Sequence, residues 1–221
     1  MKILNLIALW TTMISFVVAQ VYESGDHELA LMPTAYHMEK GQSYFTDWEL
    51  VFLNYTYAIT NKTHVSILSL FPMTTEFTNS LTLGIKHQYL NSGEVRASGI
   101  LTHTPNNGFT SLGTVVSLGK KASGLHIATG MLKFFNSDNS TEHNEWVYAM
   151  GYRIDSSKRT SLMAEYANFT SFAEENFNGY ISLGIRFRTH NVTWDLSGIR
   201  PLEKTEDFLF APLLKATFLV D

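Results

Sequence analysis

From Glu28 to Asp221 the chain repeats one unit, about ten residues of alternating apolar and polar side chains followed by a turn. Successive side chains on a strand point to opposite faces, so each unit carries one oily face and one small or polar face. The connections alternate as well, one tight and the next longer. Many short strands joined in this up-and-down manner, and in even number, are expected to close into an antiparallel β-barrel.

The candidate strands cover residues 28–38, 44–59, 65–71, 81–89, 95–103, 109–119, 125–135, 146–154, 160–168, 180–188, 192–199 and 208–218, twelve in all. Thr60-Asn61-Lys62-Thr63, Asn91-Ser92-Gly93 and Asp155-Ser156-Ser157-Lys158 are tight, polar turn sequences. Residues 72–79, 136–144 and 200–207 make the longer connections on the opposite side. Pro33 and Pro212 each remove a ladder donor, which weakens the first and last assignments.

The N-terminus reads Met1-Lys2, then a mostly apolar run to Val18, with Val17-Val18-Ala19 before Gln20. This resembles a cleavable export signal over residues 1–19. Residues 20–27 then form a short extension, and 28–221 form the barrel. No later stretch approaches 18 apolar residues, so a membrane crossing would have to be made by strands.

Composition supports a lipid-facing exterior. Charged residues make up 16% of the chain, against about 25% in soluble domains. The net charge of −4 and a pI near 6.0 provide no basic field for nucleic acid. Cysteine is absent, which excludes disulfides, thiolate metal sites and a lipoprotein anchor. No cofactor motif occurs.

Alternation assigns the faces. Trp146, Tyr148, Met150, Tyr152 and Ile154 oppose Val147, Ala149, Gly151 and Arg153. Ile181, Leu183, Ile185 and Phe187 oppose Ser182, Gly184 and Arg186. A soluble barrel turns its oily face inward, whereas a membrane barrel turns it toward lipid. Aromatic residues at the strand ends favour the second: Tyr55, Tyr57, Tyr89, Tyr152, Phe187 and Phe218 at one end, and Trp48, Phe109, Trp146 and Phe208 at the other. Trp48 and Tyr55 differ in parity, so a single continuous strand 44–59 turns one of them inward unless a bulge intervenes. By the same parity, Lys86, Arg96, Arg153, Glu165, Arg186, Asp195 and Lys215 face the lumen. They would either pair across strands and fill the barrel or line a polar pore with mild anion preference.

The repeated hairpin strands Leu81-Thr-Leu-Gly-Ile-Lys-His-Gln-Tyr89 and Tyr180-Ile-Ser-Leu-Gly-Ile-Arg-Phe187 resemble the bacterial outer-membrane β-barrel superfamily, including its uncharacterised porin-like members. The opening Pro33-Thr-Ala-Tyr36, with Gly41 and Tyr44, is similar to starts found in such barrels. The resemblance implies export to the outer membrane of a Gram-negative cell, contact with outer-membrane lipid, and insertion by the barrel-insertion machinery. Members typically end in an aromatic residue; here Phe218 is followed by Leu219-Val220-Asp221.

Chemical motifs are sparse. The eight histidines lack metal-ligand spacing. No Gly-x-Ser-x-Gly elbow, phosphate loop or spaced carboxylate pair occurs. Ser117 and His126, on neighbouring candidate strands, are the nearest approach to a nucleophile and base. Asn54, Asn61, Asn139, Asn168 and Asn191 precede x-Ser/Thr, a pattern expected by chance in a chain rich in Asn, Ser and Thr. The leading expectation is a non-enzymatic barrel, a small passive pore for ions or solutes or a structural membrane protein. The alternatives are an adhesion or binding barrel acting through its outer loops and, less favoured, a lipid-modifying enzyme.

Overall fold

The computed structural model describes residues 25–70, 77–106, 109–134, 143–168, 179–189, 191–202 and 210–220. The expected signal peptide at 1–19 lies outside them.

Twelve antiparallel strands form one closed barrel. They are β1 (Ser43–Trp48), β2 (Phe52–Thr60), β3 (Thr63–Leu70), β4 (Thr82–Ser92), β5 (Val95–Thr104) and β6 (Phe109–Lys120), then β7 (Ser123–Phe134), β8 (His143–Asp155), β9 (Thr160–Asn168), β10 (Tyr180–Arg188), β11 (Val192–Pro201) and β12 (Ala211–Val220). Each strand pairs with its sequence neighbours, and β1 closes the cylinder on β12 from Ser43↔Val220 to Trp48↔Lys215. Closure removes the unpaired edges that an open sheet would expose.

The number of strands agrees with the sequence, but the first two are different strands. Residues 44–59 do not run straight. They form the β1–β2 hairpin, which turns at Glu49 and Leu50, both at positive φ (56° and 59°). The Val51 amide donates to the Trp48 carbonyl, and the Leu50 amide donates to the Asp47 carboxylate. The turn therefore has the primed geometry that suits twisted hairpins. It lacks the Gly or Asn that announces such turns, so sequence reading passes over it.

The segment read as the first strand, 28–38, is not in the barrel wall. It folds back on itself inside the cylinder. Leu29 N–H donates to Met32 O at 2.7 Å, Thr34 N–H donates to His27 O at 2.9 Å, and Thr34 Oγ1 donates to Asp26 O at 2.7 Å. Glu28 and Pro33 form an isolated bridge at the base of this narrow loop. Pro33 is tolerated there because no ladder asks for its missing N–H.

The wall is inside-out relative to a soluble protein. Leu83, Ile85, Leu101, Leu112, Ile127, Met150, Leu183 and Leu196 are exposed on its outer surface. Ser98, Ser117, Ser161, Arg186, Thr193 and Lys215 are buried within. An exposed oily outer face on a closed cylinder is the pattern of a barrel that faces hydrocarbon. Register is uninterrupted across β6–β7 and β7–β8, so no parity switch occurs in β7. Bulges occur between Gln88 and Leu90 in β4 and between Ala58 and Thr60 in β2.

Candidate functional site: the occupied lumen

Ser43 begins β1 at the barrel end that carries the tight turns after β2, β4, β6, β8 and β10 (the turn end); the longer connections, together with the tight β1–β2 turn, lie at the loop end. Residues 25–41 precede β1 and enter the lumen from the turn end. Three apolar anchors seat this segment. Leu29 and Ala30 pack with Met163 and Leu213. Met32 and Ala35 pack with Val115, Ile100, Ala128 and Ala149. Met38 packs with Tyr44 and Ala58. Gly151 makes the first contact possible, because a Cβ there would stand 2.4 Å from Leu29 Cδ1 and 3.2 Å from Met32 Sδ.

The segment is not regular secondary structure, so its backbone groups need partners from the wall. Arg186 donates to the carbonyls of Gly25, Glu28 and Leu29 while gripping Asp195 through two bonds of 2.6 and 2.7 Å. Lys215 reaches Asp195 at 3.0 Å, Glu28 at 3.3 Å and the Leu29 carbonyl. Glu165 accepts the Leu31 amide at 3.2 Å. Lys86 donates to Tyr36 O at 2.9 Å and His27 O at 3.3 Å. Arg96 lies 4.9 Å from the centre of the Tyr36 ring. Arg153 bonds Asp26 at 2.8 Å and also donates to the Lys121 carbonyl. The seven charged residues assigned to the lumen by parity all point there, and each touches residues 25–41 directly or through a partner.

Four further charges join them, and Glu145 is buried on the same inward parity of β8. Arg188 lies 3.3 Å from Asp155 and 3.8 Å from Asp26. Asp26 and Glu28 belong to the inserted segment itself. Arg188 was legible in principle, because it shares the parity of Arg186 two residues earlier. Asp155 was assigned to a turn, and the two acids to an extension and a wall strand. Burial disfavours the Asp26 carboxylate, but Arg153 and Arg188 outweigh it and hold its pKa below the ordinary value. Burial acts on Glu28 in the same sense, and there Lys215 and His27 prevail and lower the pKa.

Ser117 and His126 do come together, with Oγ 2.8 Å from Nδ1. Both are buried against the inserted segment, and Ser117 Oγ accepts the Ala35 amide at 2.8 Å. The pair anchors backbone in the lumen rather than facing lipid at the rim.

The aromatic residues divide. Tyr55, Tyr57, Tyr89, Trp146, Tyr152 and Phe187 are exposed on the outer surface. Phe218 packs there between Phe45 and Trp194. Trp48 does not join them: the β1–β2 turn puts it on the lumen parity, and its Nε1 donates to Ala30 O at 3.3 Å. Phe109 also falls on the lumen parity, in register with Thr104 and two residues from Ser111. Phe208 lies outside the described residues, as do most of the longer connections.

Two cavities flank the segment among the described residues. One, of about 160 Å³, lies beyond the segment's tip toward the loop end and is bounded by Leu31, Met32, Leu132, Val147 and Ala149. The other, of about 130 Å³, lies between the segment and β1–β5 and is lined by His27, His64, Ser66, Lys86 and Thr102. Pro33 and Ile100 border both. No metal-binding cluster of His, Asp and Glu occurs among the described residues.

No protein-family model matches the chain, and no curated protein sequence matches it. Among solved structures it is similar to the outer membrane protein Omp33 of Acinetobacter baumannii, with 15% identity, coverage of 80% of this chain and 95% of that one, and a TM-score of 0.45. It is also similar to Acinetobacter baumannii OccAB3, with 9% identity, 76% and 54% coverage, and a TM-score of 0.41. The anion-selective porin of Comamonas acidovorans gives 11% identity, 76% and 57% coverage, and a TM-score of 0.39. The chain spans little more than half the length of these last two.

Proposed function

We propose that this protein is a narrow pore of the bacterial outer membrane whose bore is restricted by its own N-terminal segment. The exposed oily band supports placement in a membrane. The even strand number and the short turns on the side of both barrel termini support the outer-membrane orientation, with the longer connections outside. The observation that carries the pore reading is the pair of cavities on either side of the segment, both bordered by Pro33 and Ile100. Unfilled space flanks the segment's tip on two sides, and the polar cavity has room for about four waters at ~30 Å³ each. Solutes passing this route would be ions or molecules of a few atoms. The committed geometry of Ser117 and His126 gives no support to an enzymatic reading.

Planar-bilayer recording of refolded protein tests the proposal. Small discrete conductance steps are expected from the intact mature chain. Larger steps are expected from a variant lacking residues 25–41, with heat-modifiable gel migration confirming that its barrel has closed. Silence from both proteins across salts refutes the pore.

A further inference from the structure

The polar cavity has a chemical bias that its function as a passage does not require. His64 Nε2 accepts the Met38 amide at 2.9 Å. A nitrogen that accepts from an N–H carries no proton, so in the neutral ring Nδ1 must carry it. That Nδ1 has no partner among the described residues, although His64 is only 2% exposed and lines the cavity. It is a buried donor without an acceptor, which is rare and costly unless a ligand or water takes it.

Lys86 stands directly across from His64 in the β3–β4 ladder. Its ammonium has three hydrogens. Two go to the carbonyls of His27 and Tyr36, leaving one for the cavity. No carboxylate lies within ion-pair distance of Lys86 among the described residues, unlike Arg153, Arg186, Arg188 and Lys215. Hydroxyls of Ser66, Thr56 and Thr102 border the same space. The one carboxylate on its wall, Glu28, is turned to Lys215 at 3.3 Å and to His27 at 3.1 Å. The lumen thus neutralises Arg153, Arg186, Arg188 and Lys215 with acids and leaves Lys86 facing a small hole.

We propose that the polar cavity between the N-terminal segment and β1–β5 binds one small monovalent anion, a halide or an oxyanion of nitrate size, held by Lys86 Nζ and the His64 Nδ1–H. The anion supplies both the acceptor that His64 lacks and the charge that Lys86 lacks. At about 130 Å³ the cavity holds such an ion with a few waters and excludes a nucleotide or a sugar phosphate. The site does not depend on conduction, because it exists in a barrel that binds an ion without passing it.

Bromide is the probe. Crystals of the intact mature protein soaked in sodium bromide are expected to show an anomalous peak within hydrogen-bond reach of both Lys86 Nζ and His64 Nδ1. In detergent solution, bromide-81 line broadening is expected to saturate and to be reversed by chloride or nitrate. Lys86→Met and His64→Leu, each checked for a closed barrel by gel migration, are each expected to weaken that binding about tenfold or more. An empty cavity in the soaked crystal, bromide only at surface lysines, or broadening that never saturates overturns the assignment. Equal binding by wild type and both folded variants also overturns it. A silent bilayer with bromide in the cavity would sink the pore and leave the anion site standing.

Discussion

Arg186→Met is the sharpest test of how the lumen is closed. Arg186 is fully buried, and its guanidinium does two jobs at once. It neutralises Asp195 through two short bonds, and it satisfies the carbonyls of Gly25, Glu28 and Leu29. Removing one member of a buried ion pair costs about 3–5 kcal/mol, because the other charge is left behind. Here Lys215 remains 3.0 Å from Asp195 and still reaches the Leu29 carbonyl, so the low end applies. A loss of about 3 kcal/mol shifts the docked-to-undocked ratio of the inserted segment roughly a hundredfold. The barrel ladder does not pass through this side chain, so the wall should persist. Amide hydrogen exchange in micelles reads the two separately. Residues 27–36 should lose protection by about two orders of magnitude, while β4 to β8 keep theirs. Arg186→Met with Asp195→Leu removes both charges and should recover part of the loss. Unchanged protection at 27–36 in the single variant would refute the reasoning; so would equal loss across the wall.

Three further outcomes follow from the same geometry. Gly151→Leu drives a side chain into the space of Leu29 and Met32; overpacking of this kind costs about 1–3 kcal/mol, and exchange protection at residues 29–32 should fall while gel migration of the barrel is unchanged. Leu183→Arg puts a charge on the exposed band midway along β10; unfolding in lipid should show a loss of about 2–4 kcal/mol, whereas an unchanged midpoint would mean that this face does not meet hydrocarbon. Asp26 and Glu28 have pKa values lowered by docking, so the stability they lend is complete above their ordinary values near 3.8 and 4.5 and drains away as pH falls below them. Protection of the segment should therefore be flat across this linkage from pH 5 to 8 and decline below about 4, and a decline beginning at pH 7 would contradict the assignment.

Most of the wall was readable because period-2 alternation survives wherever one face meets lipid and the other meets polar groups. From β4 onward the candidate strands and the observed ones differ mainly at their ends. The first fifty residues were not readable in the same way. Glu28-Leu-Ala-Leu-Met-Pro33 carries apolar side chains toward several wall strands at once, so it keeps no two-sided period. The β1–β2 turn uses Asp47 to hold a left-handed Glu49-Leu50 pair, a device without the usual glycine mark. Those two departures offset each other in the strand count. The misplaced turn also explains Trp48, which faces the lumen rather than the lipid interface. The lumen charges were legible from parity alone. Their common purpose was not, because it depends on a segment that parity assigned to the wall.

That segment also resolves an imbalance in the lumen. Among the described residues the strands send in six cations, Lys86, Arg96, Arg153, Arg186, Arg188 and Lys215, but fewer acids to match them. A water-filled barrel with that excess would carry a bare positive field. In the folded chain much of the excess is met by backbone. The carbonyls of Gly25, His27, Glu28, Leu29 and Tyr36 accept from Arg186, Lys215 and Lys86, while Asp26 and Glu28 add two formal charges. Carbonyl oxygens are supplied by any amino acid, so the wall specifies where the segment lies more than the segment's own side chains do. Its identity matters chiefly at two acids and at the apolar anchors Leu29, Met32 and Met38. Lys86 and Arg96 are the two cations this arrangement leaves without an acid, and Lys86, held by two carbonyls, is the one that borders the polar cavity.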